Sequence, residues 1–252
     1  MYRTRFKKEI VAEFLPPARA GKKTKIIILC DGLPSIPRKQ PLAEFLAKKG
    51  FWVVYPRYRG TWESDGSFLE MAPDKDISDV IDELPNGMTD IAFGQHFPVP
   101  SPHEVYVIGG SFGGTTALMA SLDPRVKKVI ANCPVVDWAI LPEEQKQETS
   151  NKNYAAYIRE AYGNAYRLSD KNWKKIESET FFNPAKQIHE LNKAKIMVFH
   201  AKNDPYIPWK GVKAFCDTAK IRIKILATGG HLSTIDTVQT HWSKIKAFFE
   251  EK

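Results

Sequence analysis

The sequence predicts an α/β domain built on a mostly parallel sheet with helices on both faces. Three observations carry this. Apolar runs alternate with stretches of helical spacing along most of the 252 residues, a pattern that lays parallel strands side by side through crossover helices. The runs are continuously apolar rather than alternating, as in strands buried on both faces. The length suits a single domain of this class, spanning 1–252, with a core that needs no disulfide staples.

The elements follow in order. Residues 7–14, with Ile10, Val11 and Phe14, suit an antiparallel edge strand. Residues 25–30 make the first central strand. Leu42, Phe45 and Leu46 give 39–49 a helical spacing, and 51–57 reads as a strand again. Over 74–84, Ile77, Val80, Ile81 and Leu84 share one helix face, and Pro85 ends it. Then come a strand at 104–109, a helix at 112–122, strands at 127–133, 195–200 and 221–227, and a last helix from about 233 to 250. Residues 137–190 break the rhythm: they are polar, aromatic and helical, with Trp138, Tyr154, Tyr157, Tyr162, Tyr166, Trp173, Phe181 and Phe182. A helical insertion is expected there. Because it follows a strand end, where ligands bind in open α/β sheets, it is read as a lid.

Composition narrows the function classes. With 43% hydrophobic and 26% charged residues, the chain is not of disordered, collagen-like or coiled-coil type. No run approaches the ~20 apolar residues of a membrane span. The basic start, Arg3, Arg5, Lys7 and Lys8, precedes no apolar signal core. Three widely spaced cysteines, Cys30, Cys133 and Cys216, suit neither a disulfide framework nor a zinc site, so a reducing, cytoplasmic setting is expected. Lys and Arg number 37 against 29 Asp and Glu, a net charge of +8. The basic pairs Lys22-Lys23, Lys48-Lys49, Lys127-Lys128 and Lys174-Lys175 are scattered, which points to a solvated surface rather than a nucleic-acid partner.

Chemistry concentrates at Gly109-Gly110-Ser111-Phe112-Gly113-Gly114, a G-x-S-x-G between a strand and a helix. Such a turn lifts the serine hydroxyl clear of the sheet and aims the next backbone N–H, that of Phe112, at a developing oxyanion. A serine hydroxyl needs an imidazole to take its proton and an acid to orient that imidazole, in the chain order Ser, acid, His. Asp204 follows the strand at 195–200 and is the expected acid. His231, in the Gly229-Gly230 turn after the strand at 221–227, is the expected base. His96 and His103 precede the serine, His189 precedes the acid's strand, and His200 and His241 suit core or surface roles. The loop after the first central strand, Asp31-Gly32-Leu33-Pro34-Ser35, should supply the second oxyanion donor, the Leu33 N–H. Asp31 either caps this loop or contacts substrate. Trp62 and Trp138 are candidates for an apolar substrate pocket.

Together these residues resemble an α/β-hydrolase, and within that superfamily the catalytic domain of the prolyl oligopeptidase-type serine hydrolases. Besides the elbow, Cys133-Pro134-Val135-Val136-Asp137-Trp138 resembles the segment after the following strand. His200-Ala201-Lys202-Asn203-Asp204-Pro205-Tyr206-Ile207-Pro208 resembles the acid loop, and 58–66 the loop after the fourth strand. The oxyanion loop departs from the usual His-Gly start, reading Asp31-Gly32. The peptidases of the group carry a β-propeller ahead of the hydrolase domain. Only about 24 residues precede the first central strand here, so gating by a propeller is not expected. Similar propeller-free proteins are often carboxylesterases, and the resemblance therefore implies a Ser-His-Asp carboxylesterase for small to medium acyl esters, with no metal or organic cofactor. A serine peptidase for short peptides or acylated amino acids is the alternative, with Glu63, Asp65 and Glu70 as candidate ligands for an amine. A catalytically silent fold used for binding is a third.

Overall fold

Successive strand residues face opposite sides of a sheet, and the apolar runs divide accordingly. Ile26, Ile28, Val105, Val107, Val129, Ala131, Ile196 and Val198 are buried in one core. Ile27, Leu29, Tyr106, Ile108, Ile130, Met197 and Phe199 are buried in the other. The computed structural model describes residues 1–138, 154–178 and 181–251. Its strands are β1 (Tyr2–Phe6), β2 (Ile10–Leu15), β3 (Thr24–Cys30), β4 (Trp52–Pro56), β5 (Met88–Thr89), β6 (His96–Phe97), β7 (His103–Gly110), β8 (Val126–Asn132), β9 (Ile196–Ala201) and β10 (Arg222–Leu226). Eight of them form one sheet in the order β1-β2-β4-β3-β7-β8-β9-β10, and β5 pairs with β6 in a small ribbon. From β4 to β10 every pairing is parallel; β1 and β2 run antiparallel. This is the α/β-hydrolase fold.

The helices are α1 (Gln40–Lys48), α2 (Pro73–Glu83), α3 (Phe112–Ala120), α4 (Tyr154–Tyr162), α5 (Asp170–Glu177), α6 (Trp209–Ala219), α7 (Thr234–Thr240) and α8 (Trp242–Glu250). Leu42 and Leu46 of α1, Val238 of α7 and Phe248 of α8 cover one face of the sheet. Ile77 and Val80 of α2, Leu118 of α3 and Val212 and Phe215 of α6 cover the other.

Three elements differ from the sequence reading. The edge strand is Tyr2–Phe6, and Ile10–Leu15 is its inner neighbour. Its pattern is alternating, with Thr4 and Phe6 turned inward and Arg3 and Arg5 outward on Glu63 and Asp65, so the basic start is a strand. The last helix divides at His241, which is the C-cap of α7 and the N-cap of α8. Helix α6 was not anticipated; Val212, Phe215 and Cys216 form its buried stripe after Pro208.

Within the expected insertion, residues 139–153 and 179–180 lie outside the described residues. Of the remainder, α4 and α5 bury Ala155, Ile158, Trp173 and Ile176 in the same core as Phe112. Among the described residues no helix is long and apolar enough to cross a membrane. The C-terminal ends of β3, β7, β8 and β9 share one edge of the sheet, where crevices form in open α/β folds.

Candidate active site

Strand β7 ends at Gly110, α3 begins at Phe112, and Ser111 forms the whole turn between them. Its backbone sits at φ 57° and ψ −126°, a conformation L-residues rarely hold. Glycine makes this possible on both sides. A Cβ on Gly109 would overlap Gly113 O, and one on Gly113 would lie 2.5 Å from Asp31 O. The elbow is anchored by the Ser111 N–H donating to Asn132 O at 2.9 Å. The Phe112 side chain is buried among Tyr58, Phe68, Trp138 and Phe182, while its N–H heads the helix. That helix end favours negative charge.

Asp204 lies in the tight loop after β9, with a side chain of 0% exposure. Its Oδ1 accepts from the N–H groups of Tyr206 (2.8 Å) and Ile207 (2.9 Å). Its Oδ2 accepts from His231 Nδ1 at 2.8 Å. Burial alone would raise the Asp204 pKa, but the His231 bond and the two backbone donors outweigh it and hold the carboxyl below its usual range. An ionised carboxylate only accepts, so Nδ1 of His231 carries the proton and Nε2 offers its lone pair. Ser111 Oγ lies 2.8 Å from that Nε2 and donates to it. The three side chains come from three loops, and the structure joins them in one hydrogen-bonded line.

The loop at 31–35 lies alongside. An ideal Cβ on Gly32 would be 3.9 Å from Ser111 Cβ. Among the described residues, the N–H groups of Leu33 and Phe112 donate no hydrogen bond. Asp31 is tied inward: Oδ1 accepts from Lys39 Nζ (2.5 Å) and the Gly32 N–H (3.0 Å), and Oδ2 from the Tyr55 hydroxyl (2.6 Å). Burial pushes the Asp31 pKa up, yet the Lys39 charge and these bonds bring it below the ordinary value. Asp31 thus caps its own loop.

The family model described as the prolyl oligopeptidase family matches residues 40–252. The chain belongs to this family, a family of serine hydrolases. No curated protein sequence matches it. The esterase PF2001 of Pyrococcus furiosus shares the fold at TM-score 0.69 and 16% identity, covering 98% of this chain and 88% of that one. The acylaminoacyl peptidase of Pyrococcus horikoshii superposes at TM-score 0.66 and 17% identity over 100% of this chain, which spans 41% of the peptidase's length. DcsB, solved with its substrate analogue, gives TM-score 0.71 and 17% identity over 98% and 97%. At such identities the likeness is one of fold.

Beside the prolyl oligopeptidase-type elbow, the two tryptophans of interest differ. Trp138 is half-buried, its ring centroid 6.1 Å from Phe112 and 6.3 Å from Phe182, and its Nε1 donates to Phe182 O at 2.8 Å. Trp62 uses its indole N–H on Ser35 O at 3.2 Å, so it backs the loop carrying Leu33. Tyr206, Leu232 and Ile36 are exposed; the Tyr206 ring stands 5.2 Å from that of His231. Glu63 pairs with Arg3 and Arg57, and Asp65 with Arg5. A cavity of about 500 Å³ between Lys25, Phe51 and Trp242 lies near the opposite, N-terminal end of β3.

The contacts around Asp204 escaped the sequence reading, which gave His200 a core or surface role and, for the site, quoted Asn203 and Cys133 only within the resembling segments. His200 is fully buried behind Asp204, its Nε2 3.0 Å from Ile207 O and 3.6 Å from Asp204 Oδ2. With Cys133 it forms the group closest to a metal-ligand cluster, the three ligand atoms lying within 4.8 Å of one another. The Cys133 thiol is pushed by burial to about 12, so it stays protonated, and Asp204 is committed to His231; this set fits hydrogen bonding better than a cation. Asn203 Oδ1 accepts the Gly230 N–H at 3.0 Å and fixes the turn that carries His231. Its position next to the acid was the one available signal.

Proposed function

We propose that this protein is a serine carboxylesterase that cleaves small to medium acyl esters through an acyl-enzyme, acting in the cytoplasm. The observation that carries the reading is the line of two 2.8 Å hydrogen bonds from Ser111 through His231 to Asp204. Ser111 Oγ attacks the ester carbonyl carbon as its proton passes to His231 Nε2. The Phe112 and Leu33 N–H groups bind the oxyanion, each such donor being worth about 100- to 1000-fold. The tetrahedral adduct collapses, and the leaving alkoxide takes the proton from Nε2. Water, activated by the same nitrogen, then releases the carboxylic acid and restores the serine. Asp204, ionised throughout, holds the imidazole and balances its transient charge.

Ester rather than amine-bearing substrates are favoured by what surrounds the site. Half-buried Trp138, backed by the buried rings of Phe112 and Phe182, offers an aromatic surface, and exposed Leu232, Tyr206 and Ile36 offer an apolar rim. Of the three carboxylates that a peptide's amino group would want, Glu63 and Asp65 are engaged by arginines, which leaves Glu70. The described part of the insertion, α4 and α5, serves in this reading as a cap over the crevice. The test is turnover of p-nitrophenyl esters of increasing chain length beside aminoacyl and N-acyl-aminoacyl p-nitroanilides, with wild type and Ser111→Ala. Ester turnover that the substitution abolishes is expected. Anilide turnover exceeding ester turnover would move the reading to a peptidase, and equal activity of both proteins would overturn it.

A further inference from the structure

The loop that presents the Leu33 N–H is held at two points, and the second comes from far away in the chain. Upstream, the Gly32 N–H is taken by Asp31 Oδ1 at 3.0 Å, and Asp31 O accepts from the Tyr58 hydroxyl at 3.0 Å. Downstream, Ser35 is clamped on both of its backbone groups. Its N–H donates to the Tyr166 hydroxyl at 2.9 Å. Its carbonyl accepts from that same hydroxyl at 3.2 Å and from Trp62 Nε1 at 3.2 Å. Between the anchors stand only Leu33 and Pro34, and Pro34 has no N–H to give. The direction of the Leu33 N–H therefore follows from where Gly32 and Ser35 are pinned.

Tyr166 belongs to the segment after α4, and that segment is stitched to the loop at 58–70. The Trp62 N–H donates to Ala165 O (2.7 Å), the Arg167 N–H to Gly60 O (2.8 Å) and the Phe68 N–H to Arg167 O (2.9 Å). The Arg167 guanidinium donates to the carbonyls of Trp62, Ser64 and Gly66. Asn172 and Lys175 of α5 donate to the carbonyls of Phe68, Leu69 and Glu70. The Tyr166 side chain is buried against Phe68, centroids 5.6 Å apart, which fixes where its hydroxyl points.

We infer that Tyr166 is a positioning residue for the oxyanion hole: its hydroxyl, bonded to both backbone groups of Ser35, sets the Leu33 N–H on the carbonyl oxygen above Ser111 and makes turnover depend on the docked segment between α4 and α5. The inference rests on the hydrolase reading above. It also turns the described segment from α4 to α5 from a passive cover into a part of the catalytic geometry, since releasing Tyr166 would release Ser35.

The test compares Tyr166→Phe, which keeps the ring and removes only the hydroxyl, with Trp62→Phe, which removes the other donor to the same carbonyl. Active sites are counted by fluorophosphonate labelling, so kcat is expressed per labelled serine. Ester hydrolysis and the affinity for an alkyl trifluoromethyl ketone, which forms a tetrahedral adduct on Ser111, are both measured. A misplaced donor should cost less than a deleted one, so kcat is expected to fall about tenfold in Tyr166→Phe, with KM changed less than twofold and ketone affinity falling in parallel. Trp62→Phe should show the same split with a smaller loss. A purely structural role would lower the melting temperature or the labelled fraction while kcat per labelled site and ketone affinity stayed at wild-type values, and that overturns the inference. Should Tyr166→Phe not fold, an unchanged kcat and ketone affinity in Trp62→Phe overturns it equally. Wild type without serine-dependent turnover would overturn the hydrolase reading itself; active wild type beside an equally active Tyr166→Phe overturns this one alone.

Discussion

The acid loop and the oxyanion loop flank the same serine and are held in opposite ways. Around Asp204 the support is local: its carboxylate accepts from the N–H groups two and three residues ahead, and the loop leaves β9 directly. Around Leu33 only the bond from the Gly32 N–H to Asp31 is local; the other support is remote, from Lys39, Tyr55 and Tyr58 on one side and on the other from Trp62 and Tyr166, which lies 131 residues beyond the Ser35 it holds. The contrast teaches that a loop carrying a charge needs few outside partners when its own backbone supplies donors. The loop at 31–35 spends one backbone donor, the Gly32 N–H, on its own Asp31, leaves the Leu33 N–H free, and takes the rest of its support from side chains elsewhere in the chain.

The largest expected effects fall on the machinery both loops serve. Ser111→Ala should lower ester turnover on the order of a millionfold, measured as kcat with folding checked by circular dichroism. Asp204→Asn sharpens the local side of the comparison. Asn Oδ1 can keep the Tyr206 and Ile207 bonds, so the fold should persist. The amide can still accept from Nδ1–H only by giving up those backbone donors; facing His231 with its NH₂ it favours the wrong tautomer, and kcat should drop about ten-thousandfold. A loss below tenfold would mean that Asp204 does not orient His231.

Asp31→Ala breaks the remote side. It leaves Lys39 Nζ and the Tyr55 hydroxyl without their shared acceptor, in a place where Lys39 is 16% exposed. Loss of such a half-buried pair should cost about 3 kcal/mol of stability, read from urea midpoints, together with a fall in kcat through the displaced Leu33 N–H. If stability fell and kcat per active site did not, Asp31 would cap the loop without governing the donor.

The smallest effect is on pH. Asp204 and Asp31 both have lowered folded pKa values. Unfolded aspartates titrate near about 4, so the folded protein holds fewer protons there than the unfolded chain does. Their contribution to stability is therefore complete above about pH 4 and is lost as pH falls through the folded values. Melting temperature followed from pH 7 to pH 3 should decline below pH 4, and more shallowly in Asp31→Asn, which has one such group fewer. An identical decline in both would remove Asp31 from the set.

Legibility in the sequence tracks these differences. The elbow was readable because its constraint is short-range: glycines at 109 and 113 are what the strand-to-helix turn admits sterically. The order Ser111, Asp204, His231 was readable because each follows a strand end whose apolar run is plain. The edge strand Tyr2–Phe6 was harder, since two arginines in five residues mask its alternation, and only the fold brings Glu63 and Asp65 to meet them. Helix α6 begins on Trp209 after Pro208 with a three-residue buried stripe, too short a pattern to stand out.

By itself the sequence determined the layered α/β order and the strained serine turn, and it singled out Asp204 and His231 as candidates after later strands, because backbone sterics and burial periodicity are properties of near neighbours. Only the tertiary structure decided that Asp31 faces Lys39 and Tyr55, that Glu63 and Asp65 are spent on arginines, and that Tyr166 reaches Ser35. Hydrogen bonds and ion pairs between distant residues leave no period or spacing in the chain; they exist only where packing brings a donor to an acceptor.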